Sequence, residues 1–516
     1  MPKIFISLTI RCKNMYFKKI ILLAITMVYC LSADAQFKLS GKITDYDGKA
    51  ELKINIPLVY DFHDYNSISI PIAHDGSFEI TLPIKETKLT SLIFKDKVIC
   101  DLLLRPSKTL TFNLKSVNEG PLFLAGTALP ENKLMQDIGF DEPPFFFTNN
   151  HNDASKTYNN FSFSELLENF VNPFKLKQQD QIKKVNVSQV DDKDKQIISN
   201  EINYRSYYLL GLFTQVADLK KPMLDSLMLE IFSTSPVAQH TLPGGSYYYK
   251  FVRYYMRYID TKMALQVKKD NIPNSAPLPY YGISFDSAMI ARTKYGAASI
   301  SLIGAIKNLP AAVVEPYFYQ QITDLYNGKD LTNLSGLVYA FNRQFPNGFY
   351  YKDVNDKVAT LQKILSVNAS NKKIEIVEKI NSLTDLIKPL KGKVVYLDIW
   401  GTWCGPCKEE LQYIPELKSK FKGKDVVFVY LDMDEENKDA TWREFIKLNN
   451  MEGIHLRKNR QTIVPFWKEL LAKAEDKAEY YPQYFIFDKD GKLVVTKAKR
   501  PSEKEELYTQ LESYLR

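Results

Sequence analysis

The stretch from Lys393 to Glu410, KVVYLDIWGTWCGPCKEE, constrains the fold more than any other in the chain. Its first eight residues are an almost continuous apolar run, the pattern of a strand buried on both faces. Cys404 and Cys407 follow at a spacing of three, where the run gives way to a helical pattern extending to about Phe421. Next come a second apolar strand (DVVFVYLDM) and a helix with Thr441 and Glu444 in capping-box spacing. A strand at QYFIFD, an Asp490-Gly491 turn and a strand at KLVVTK then read as a hairpin. The closing helix is expected to begin at Ser502 with Glu505 as box partner, and it lines Leu507, Leu511 and Leu515 on one face. Strand-helix-strand followed by a hairpin and a helix specifies an α/β layer fold over residues 376–516.

Two cysteines so placed could bind a metal, crosslink the chain or move electrons. A structural zinc site takes about four ligands, commonly in pairs. The five histidines, His63, His74, His151, His240 and His455, supply no second pair. As a staple the pair is poor, because closing so short a loop removes little unfolded-chain entropy. Redox chemistry remains. With Cys404 at the mouth of a helix, unpaired N–H groups and the helix dipole favour its anion, drawing the thiol from about 8.5 toward neutrality. Cys404 is therefore expected to be the exposed nucleophile and Cys407, one turn in, the shielded thiol that resolves the mixed disulfide. Gly405 and Pro406 set the turn, since a first-turn proline loses no hydrogen bond.

With Trp403-Cys404-Gly405-Pro406-Cys407 in strand-turn-helix context, the region from about Asn371 to Arg516 resembles the exported thiol-disulfide oxidoreductases of the TlpA/ResA type, which have a thioredoxin fold. The resemblance implies that Asp398, six residues before Cys404, is the buried acid that accepts the second cysteine's proton. A lone carboxylate in an apolar strand should indeed hold a raised pKa. It implies that Pro482, in EYYPQYFIFDKDG, is a cis-proline packed against the disulfide, exposing the backbone of Tyr481 for strand-like pairing with substrate. Trp403, Gly405, Pro406, Tyr481 and Pro482 would form the substrate surface. The implied partners are a disulfide-containing client protein and an upstream membrane thiol donor, with no cofactor. Glu410 matches an acidic position of the branch, though a solvated helix-face charge reads equally well. Three positions depart from the pattern. Tyr430 stands where many thioredoxins place a lysine, Gln412 replaces the usual helix proline with Pro415 further on, and the segment from Glu435 to Tyr481 is long.

Ahead of this domain, Met15 is followed by Tyr16-Phe17-Lys18-Lys19, an apolar run from Ile20 to Leu31 and Ala33-Asp34-Ala35. That is the layout of a secretory signal peptide over residues 1–35, with translation starting at Met15. The run falls short of the roughly 20 residues that span a bilayer, and bulky Tyr29 before Cys30 disfavours a lipid-anchored cysteine. Half of the formal charge of +8 leaves with this segment. The nearly neutral remainder gives no call for nucleic acid. Cleavage also leaves only Cys100 beside the pair, in an apolar strand where it reads as a buried structural thiol.

At roughly 150 residues per domain the mature chain holds about three. Residues 36–128 alternate with period two and carry hairpin signals at Asp47-Gly48 and Asp75-Gly76, predicting an antiparallel β-sandwich. Residues 129–375 shift to three-and-four spacing, with Ser162 and Glu165 in capping-box positions, predicting a central all-α domain of six to nine short helices. In SYYYKFVRYYMRYID, Phe251, Tyr255 and Tyr258 share a helical face, so packing is favoured over a nucleic-acid platform. The motifs HDGSFEITLPI and LFLAGTALPENKL resemble the regions ahead of such domains in large exported bacterial proteins. The sequence thus reads as an enzyme of the periplasm or cell envelope that reduces client disulfides. An oxidase or isomerase, or a scaffold that docks clients with little turnover, stays open. Oligomeric state is not fixed by any of these features.

Overall fold

The computed structural model describes residues 36–56, 67–115, 119–140, 156–235 and 247–516. The signal-peptide reading of residues 1–35 lies outside them. The chain divides into two compact units, one running to Arg292 and including Ile300–Gln320, the other made of Thr293–Ser299 and Gln321–Arg516.

The first unit opens with eight strands: β1 (Phe37–Ile43), β2 (Leu52–Asn55), β3 (Ser67–Ser69), β4 (Ser77–Leu82), β5 (Lys88–Phe94), β6 (Lys97–Leu104), β7 (Thr109–Leu114) and β8 (Pro121–Ala125). They form two four-stranded sheets, ordered β4-β1-β7-β8 and β3-β2-β5-β6. Phe37, Leu39 and Phe112 from one sheet and Leu52, Ile54 and Leu102 from the other share one buried cluster with Cys100. Not every pairing is antiparallel as expected, because β1 runs parallel to β7. Asp75-Gly76 closes a short antiparallel bridge between Ile72 and Phe78, as a hairpin turn would, but neither Asp-Gly turn joins two strands of one sheet. Each links strands of different sheets, Asp47-Gly48 joining β1 to β2 and Asp75-Gly76 joining β3 to β4. Their Asp Oδ1 atoms accept from backbone two residues on, at 2.9 Å from Lys49 and 3.0 Å from Ser77. Such a side-chain clasp serves any tight turn, paired strands or not. A longer hairpin, β5 to β6, turns on Lys95 and Asp96 with φ of 51° and 58°.

Helices follow: α1 (Leu129–Asp137), α2 (Phe163–Leu166), α3 (Asn172–Val187), α4 (Asp192–Val216), α5 (Lys221–Phe232), α6 (Tyr247–Asp270), α7 (Phe285–Tyr295), α8 (Ala298–Asn308), α9 (Ala311–Asn327), α10 (Leu331–Gln344) and α11 (Tyr351–Asn368). They are more numerous than expected and not all short, α4 reaching 25 residues. The Ser162–Glu165 box closes in both directions at the start of α2. The tyrosine-rich stretch is α6, whose Phe251 is fully buried and stacks on Tyr204 of α4. Three of its cations, Lys250, Arg257 and Lys262, lie over tyrosine rings, Lys250 over Tyr208 and Tyr247. Between α7 and α8 the chain turns at Gly296, whose φ of 84° suits a residue without Cβ.

The second unit carries a six-stranded sheet ordered β14-β13-β10-β11-β12-β9. Its strands are β9 (Ile374–Ile376), β10 (Val394–Trp400), β11 (Val426–Met433), β12 (Gly453–Lys458), β13 (Gln483–Phe487) and β14 (Leu493–Val495). The pairs of β10 with β11, β11 with β12 and β12 with β9 are parallel, and β13 is antiparallel to both neighbours. Helices α12 (Leu383–Ile387), α13 (Gly405–Glu410), α14 (Ile414–Lys420), α15 (Asp439–Leu448), α16 (Val464–Leu470) and α17 (Glu505–Ser513) complete it. Every residue of β10 is buried. Val395, Leu397 and Ile399 pack with α12 and α16, while Val394 and Tyr396 pack with α14 and α17. Helices on both faces explain why the strand reads as continuous rather than alternating.

Two predicted caps do not form. Asp439 already starts α15, so Thr441 lies inside it and Glu444 instead accepts from Thr332. Ser502 sits in a 3₁₀ turn before α17, where Glu503 rather than Glu505 reaches back, to the Arg500 N–H at 2.7 Å. Among the described residues no helix is long and apolar enough to cross a membrane.

Candidate functional site

β10 delivers the chain to the cysteines through a turn that is pinned at each residue. Gly401 must be glycine, since a Cβ there would lie 2.5 Å from the Trp403 indole nitrogen and 3.0 Å from the Met433 carbonyl. The Thr402 N–H and hydroxyl donate to the two oxygens of Asp434 at 2.8 and 2.9 Å. The Trp403 indole N–H donates to the Met433 carbonyl at 2.7 Å. Cys404 is then the N-cap of α13, and the Cys407 N–H donates to its Sγ at 3.2 Å. Cys404 and Cys407 are joined as a disulfide. The bend falls at a 3₁₀ turn over Leu411–Tyr413, with Pro415 in the first turn of α14.

Cys404 is not the exposed partner of the pair: both cysteines are 3% exposed. They pack in a cluster with Trp400, Tyr430, Trp442, Phe445, Ile446 and Met451, with Tyr481 against it. The Tyr481–Pro482 peptide is cis. Tyr481 meets the edge of Trp403 at 5.1 Å between centroids, and its hydroxyl receives the Trp467 indole N–H at 3.3 Å. What faces solvent is Trp403, 54% exposed, with Gly405 and Pro406.

Asp398 pairs in register with Tyr430 on one side and Tyr484 on the other. It is buried, and its Oδ1 has no hydrogen-bond partner within the protein. Burial raises its carboxyl well above the usual range, and the nearby charge of Glu410 adds to this. Glu410 is itself buried, accepting from the Ser502 N–H and hydroxyl at 2.9 and 2.8 Å, so it is no solvated helix-face charge. Tyr430 is buried and stacks on His455 with centroids 4.7 Å apart. The ammonium of Lys418, from α14, lies 5.2 Å from the Tyr430 ring centre, so a lysine does reach this strand position from outside the strand. Burial pulls that lysine down to about 8.

Sequence reasoning missed three buried groups nearby. Asp432, opposite Trp400 on β11, is fully buried and neither oxygen finds a partner. Burial, then the neighbouring Asp434 charge, pushes its carboxyl well up. Asp434 holds the turn before Cys404. In DMDEEN these acids look like a solvated run, and only the register of β11 with β10 buries them. His455, on the unpredicted strand β12, is held down to about 4 by burial, with Nε2 2.6 Å from the Met451 carbonyl. Among the described residues no group of three or more His, Cys, Asp or Glu side chains gathers as a metal site would require.

The site thus combines a buried strand, a disulfide at a helix mouth, a buried acid on that strand and a cis-proline loop. The redoxin family model matches residues 366–511. The thiol-disulfide oxidoreductase ResA of Bacillus thuringiensis subsp. konkukian is 36% identical over 131 residues, which are 25% of this chain and 66% of that protein. ResA of Oceanobacillus iheyensis is 38% identical over 60 residues, 12% of this chain and 31% of its own length. The chain thus spans at most just under two thirds of these relatives. Among solved structures, the thioredoxin domain of a thiol-disulfide oxidoreductase from Bacteroides vulgatus is similar at 23% identity, covering 25% of this chain and 84% of that one, with a TM-score of 0.21. The C-terminal part of this chain is accordingly a redoxin domain with the thioredoxin fold, of the TlpA/ResA type.

Proposed function

We propose that the chain is an exported thiol-disulfide oxidoreductase that reduces disulfides of client proteins through Cys404 and Cys407. The observation that carries this reading is the Cys407 N–H aimed at Cys404 Sγ, because a donor in that place favours the thiolate over the thiol. The Cys404 thiolate attacks a client disulfide, forming a mixed disulfide and releasing one client thiolate. Cys407 then gives its proton to Asp398 and attacks Cys404 Sγ. The second client thiolate leaves, and two electrons have passed to the client. Trp403, Gly405 and Pro406 offer the surface the client meets, while the backbone of Tyr481 beside cis-Pro482 pairs with its extended chain. A membrane thiol donor returns the Cys404–Cys407 disulfide to the dithiol.

Residues 1–35 act as the export signal, and the protein works in the periplasm or cell envelope. The two N-terminal sheets form a β-sandwich over residues 36–128, followed by a helical domain over 129–375 and the thioredoxin-like domain over 376–516. Insulin reduction by native protein and by Cys404→Ala tests the activity. Turnover is expected only with Cys404, and its absence in both leaves a scaffold that docks clients. Cys407→Ala, which cannot resolve the mixed disulfide, should hold clients covalently. A measured reduction potential near −120 mV rather than near −270 mV would make the protein an oxidant instead.

A further inference from the structure

The segment from Asp432 to Asp434 holds the turn that carries the cysteines. Asp434 accepts the Thr402 N–H and hydroxyl at 2.8 and 2.9 Å, and the Met433 carbonyl accepts the Trp403 indole N–H at 2.7 Å. The Asp434 N–H donates to the Lys458 carbonyl at 3.1 Å, so pairing with β12 runs one hydrogen bond past the end of β11. Residues two apart along a strand point to one face, which sets the Asp432 and Asp434 carboxyls side by side. Both residues are buried, and Asp432 is fully so.

Neither oxygen of Asp432 meets a donor. Arg457 stands opposite it on β12, but that guanidinium donates elsewhere, to the Asp434 carbonyl at 2.9 Å, to Asp439 at 3.1 Å and to Glu436 at 2.7 Å. On β10 its register partner is Trp400, and the titratable groups facing it besides Arg457 are Asp398 of that strand, Asp434 and the Tyr481 phenol. An ionised carboxylate so placed has no donor to replace the water it lost, whereas a protonated one needs only a single acceptor. Asp434 lies within hydrogen-bonding reach, and two carboxyls can bond only when one of them carries a proton. Both Asp434 oxygens already serve Thr402 as acceptors, and each has a further lone pair to offer. The proton therefore sits on Asp432 and points at Asp434.

We propose that Asp432 is a positioning residue for thiol exchange: its protonated carboxyl donates to Asp434 and so steadies the Thr402 clamp that sets Cys404 in place. The proposal rests on the oxidoreductase reading and deepens it. Two substitutions test it, because Asp432→Asn keeps a donor, its amide N–H, and Asp432→Leu keeps the shape without one. Both are made in full-length Cys407→Ala protein, and alkylation of Cys404 by iodoacetamide at pH 7 is followed by mass on the peptide that carries it. Asp432→Asn should react within about twofold of its parent and Asp432→Leu about tenfold more slowly, the worth of one hydrogen bond to a charged group. Urea melts should show Asp432→Leu at least as stable as its parent, since it buries no polar group. An Asn variant slowed like the Leu variant, a Leu variant as fast as its parent, or a slower reaction that comes with lost stability overturns the proposal. Should Asp432→Leu fail to fold, the infrared difference between the parent and Asp432→Asn at pH 7 decides. It should contain the carbonyl stretch of a protonated carboxyl, and its absence overturns the proposal too. Alkylation needs no client. Failure of insulin reduction therefore removes the oxidoreductase reading and leaves this comparison to decide the clamp, while loss of the clamp leaves insulin turnover by the native protein standing.

Discussion

Asp398 pays for its position in the strand with stability. Its carboxyl is raised in the folded chain, so the native state holds the proton more tightly than the unfolded state, whose value lies near 3.9. As pH rises above about 4, the unfolded chain sheds that proton first and folding loses free energy with each step. Asp398→Asn should therefore leave stability unchanged near pH 3 and raise it by at least about 1 kcal/mol at pH 7, read from urea melts at both values. The same variant should slow resolution of the mixed disulfide about a hundredfold, the usual worth of a positioned base. A variant that is less stable at pH 7, or as fast as native, removes Asp398 from the proton path. The burial of this residue and the placing of the cysteine pair were legible because their signals are local, an acid inside an apolar run and a spacing of three, whereas the cis bond at Pro482 was expected only from the family resemblance. Asp432, Asp434 and the burial of Glu410 were not, because each depends on a neighbour far along the chain. For Glu410 that neighbour is Ser502, 92 residues away.

Periodicity identifies elements where one face or both are strongly apolar, and it found β10, β11, β13 and most helices. It passed over β9, three residues long, and β12, where His455, Arg457 and Lys458 interrupt the apolar pattern. Those charges have partners only in the fold, such as Glu436 and Asp439 for Arg457. Tertiary contact also overrides propensity within α10. Gly336 sits in its middle, where alanine would be favoured by about 1 kcal/mol on helix propensity alone. A Cβ there, however, would lie 2.5 Å from the Tyr295 carbonyl oxygen and 2.7 Å from its carbon. Backbone cannot rotate aside as a side chain can, so overpacking should outweigh propensity by about 1–3 kcal/mol. Gly336→Ala is expected to lower Tm, and a rise would show that α10 does not approach Tyr295 so closely.

At the scale of the whole chain, changes of periodicity mark three regions, whereas contacts mark two units. The N-terminal strands and the helices up to Arg292 fall into one unit, while α10 and α11, which look like any other helices in sequence, are compact with the α/β sheet. Thr332 to Glu444, Lys329 to Leu448 and Asn368 to Lys447 are hydrogen bonds between residues 112, 119 and 79 positions apart. Nothing in local composition announces them. Each unit has its own buried clusters, the β-strand cluster around Phe37 and Phe112 in the first and those around Leu397 and Tyr396 in the second. A unit with its own core unfolds as its own cooperative step, so calorimetry of the full chain should resolve two transitions. The Cys404–Cys407 disulfide lies in the second unit, and the loop it closes is so short that breaking it costs at most about 2 kcal/mol of chain entropy. Dithiothreitol should accordingly move one transition by a few degrees and leave the other in place. A single transition, or two that shift together on reduction, would mean that the units melt as one body and that the redox state of the dithiol is felt by the N-terminal sheets.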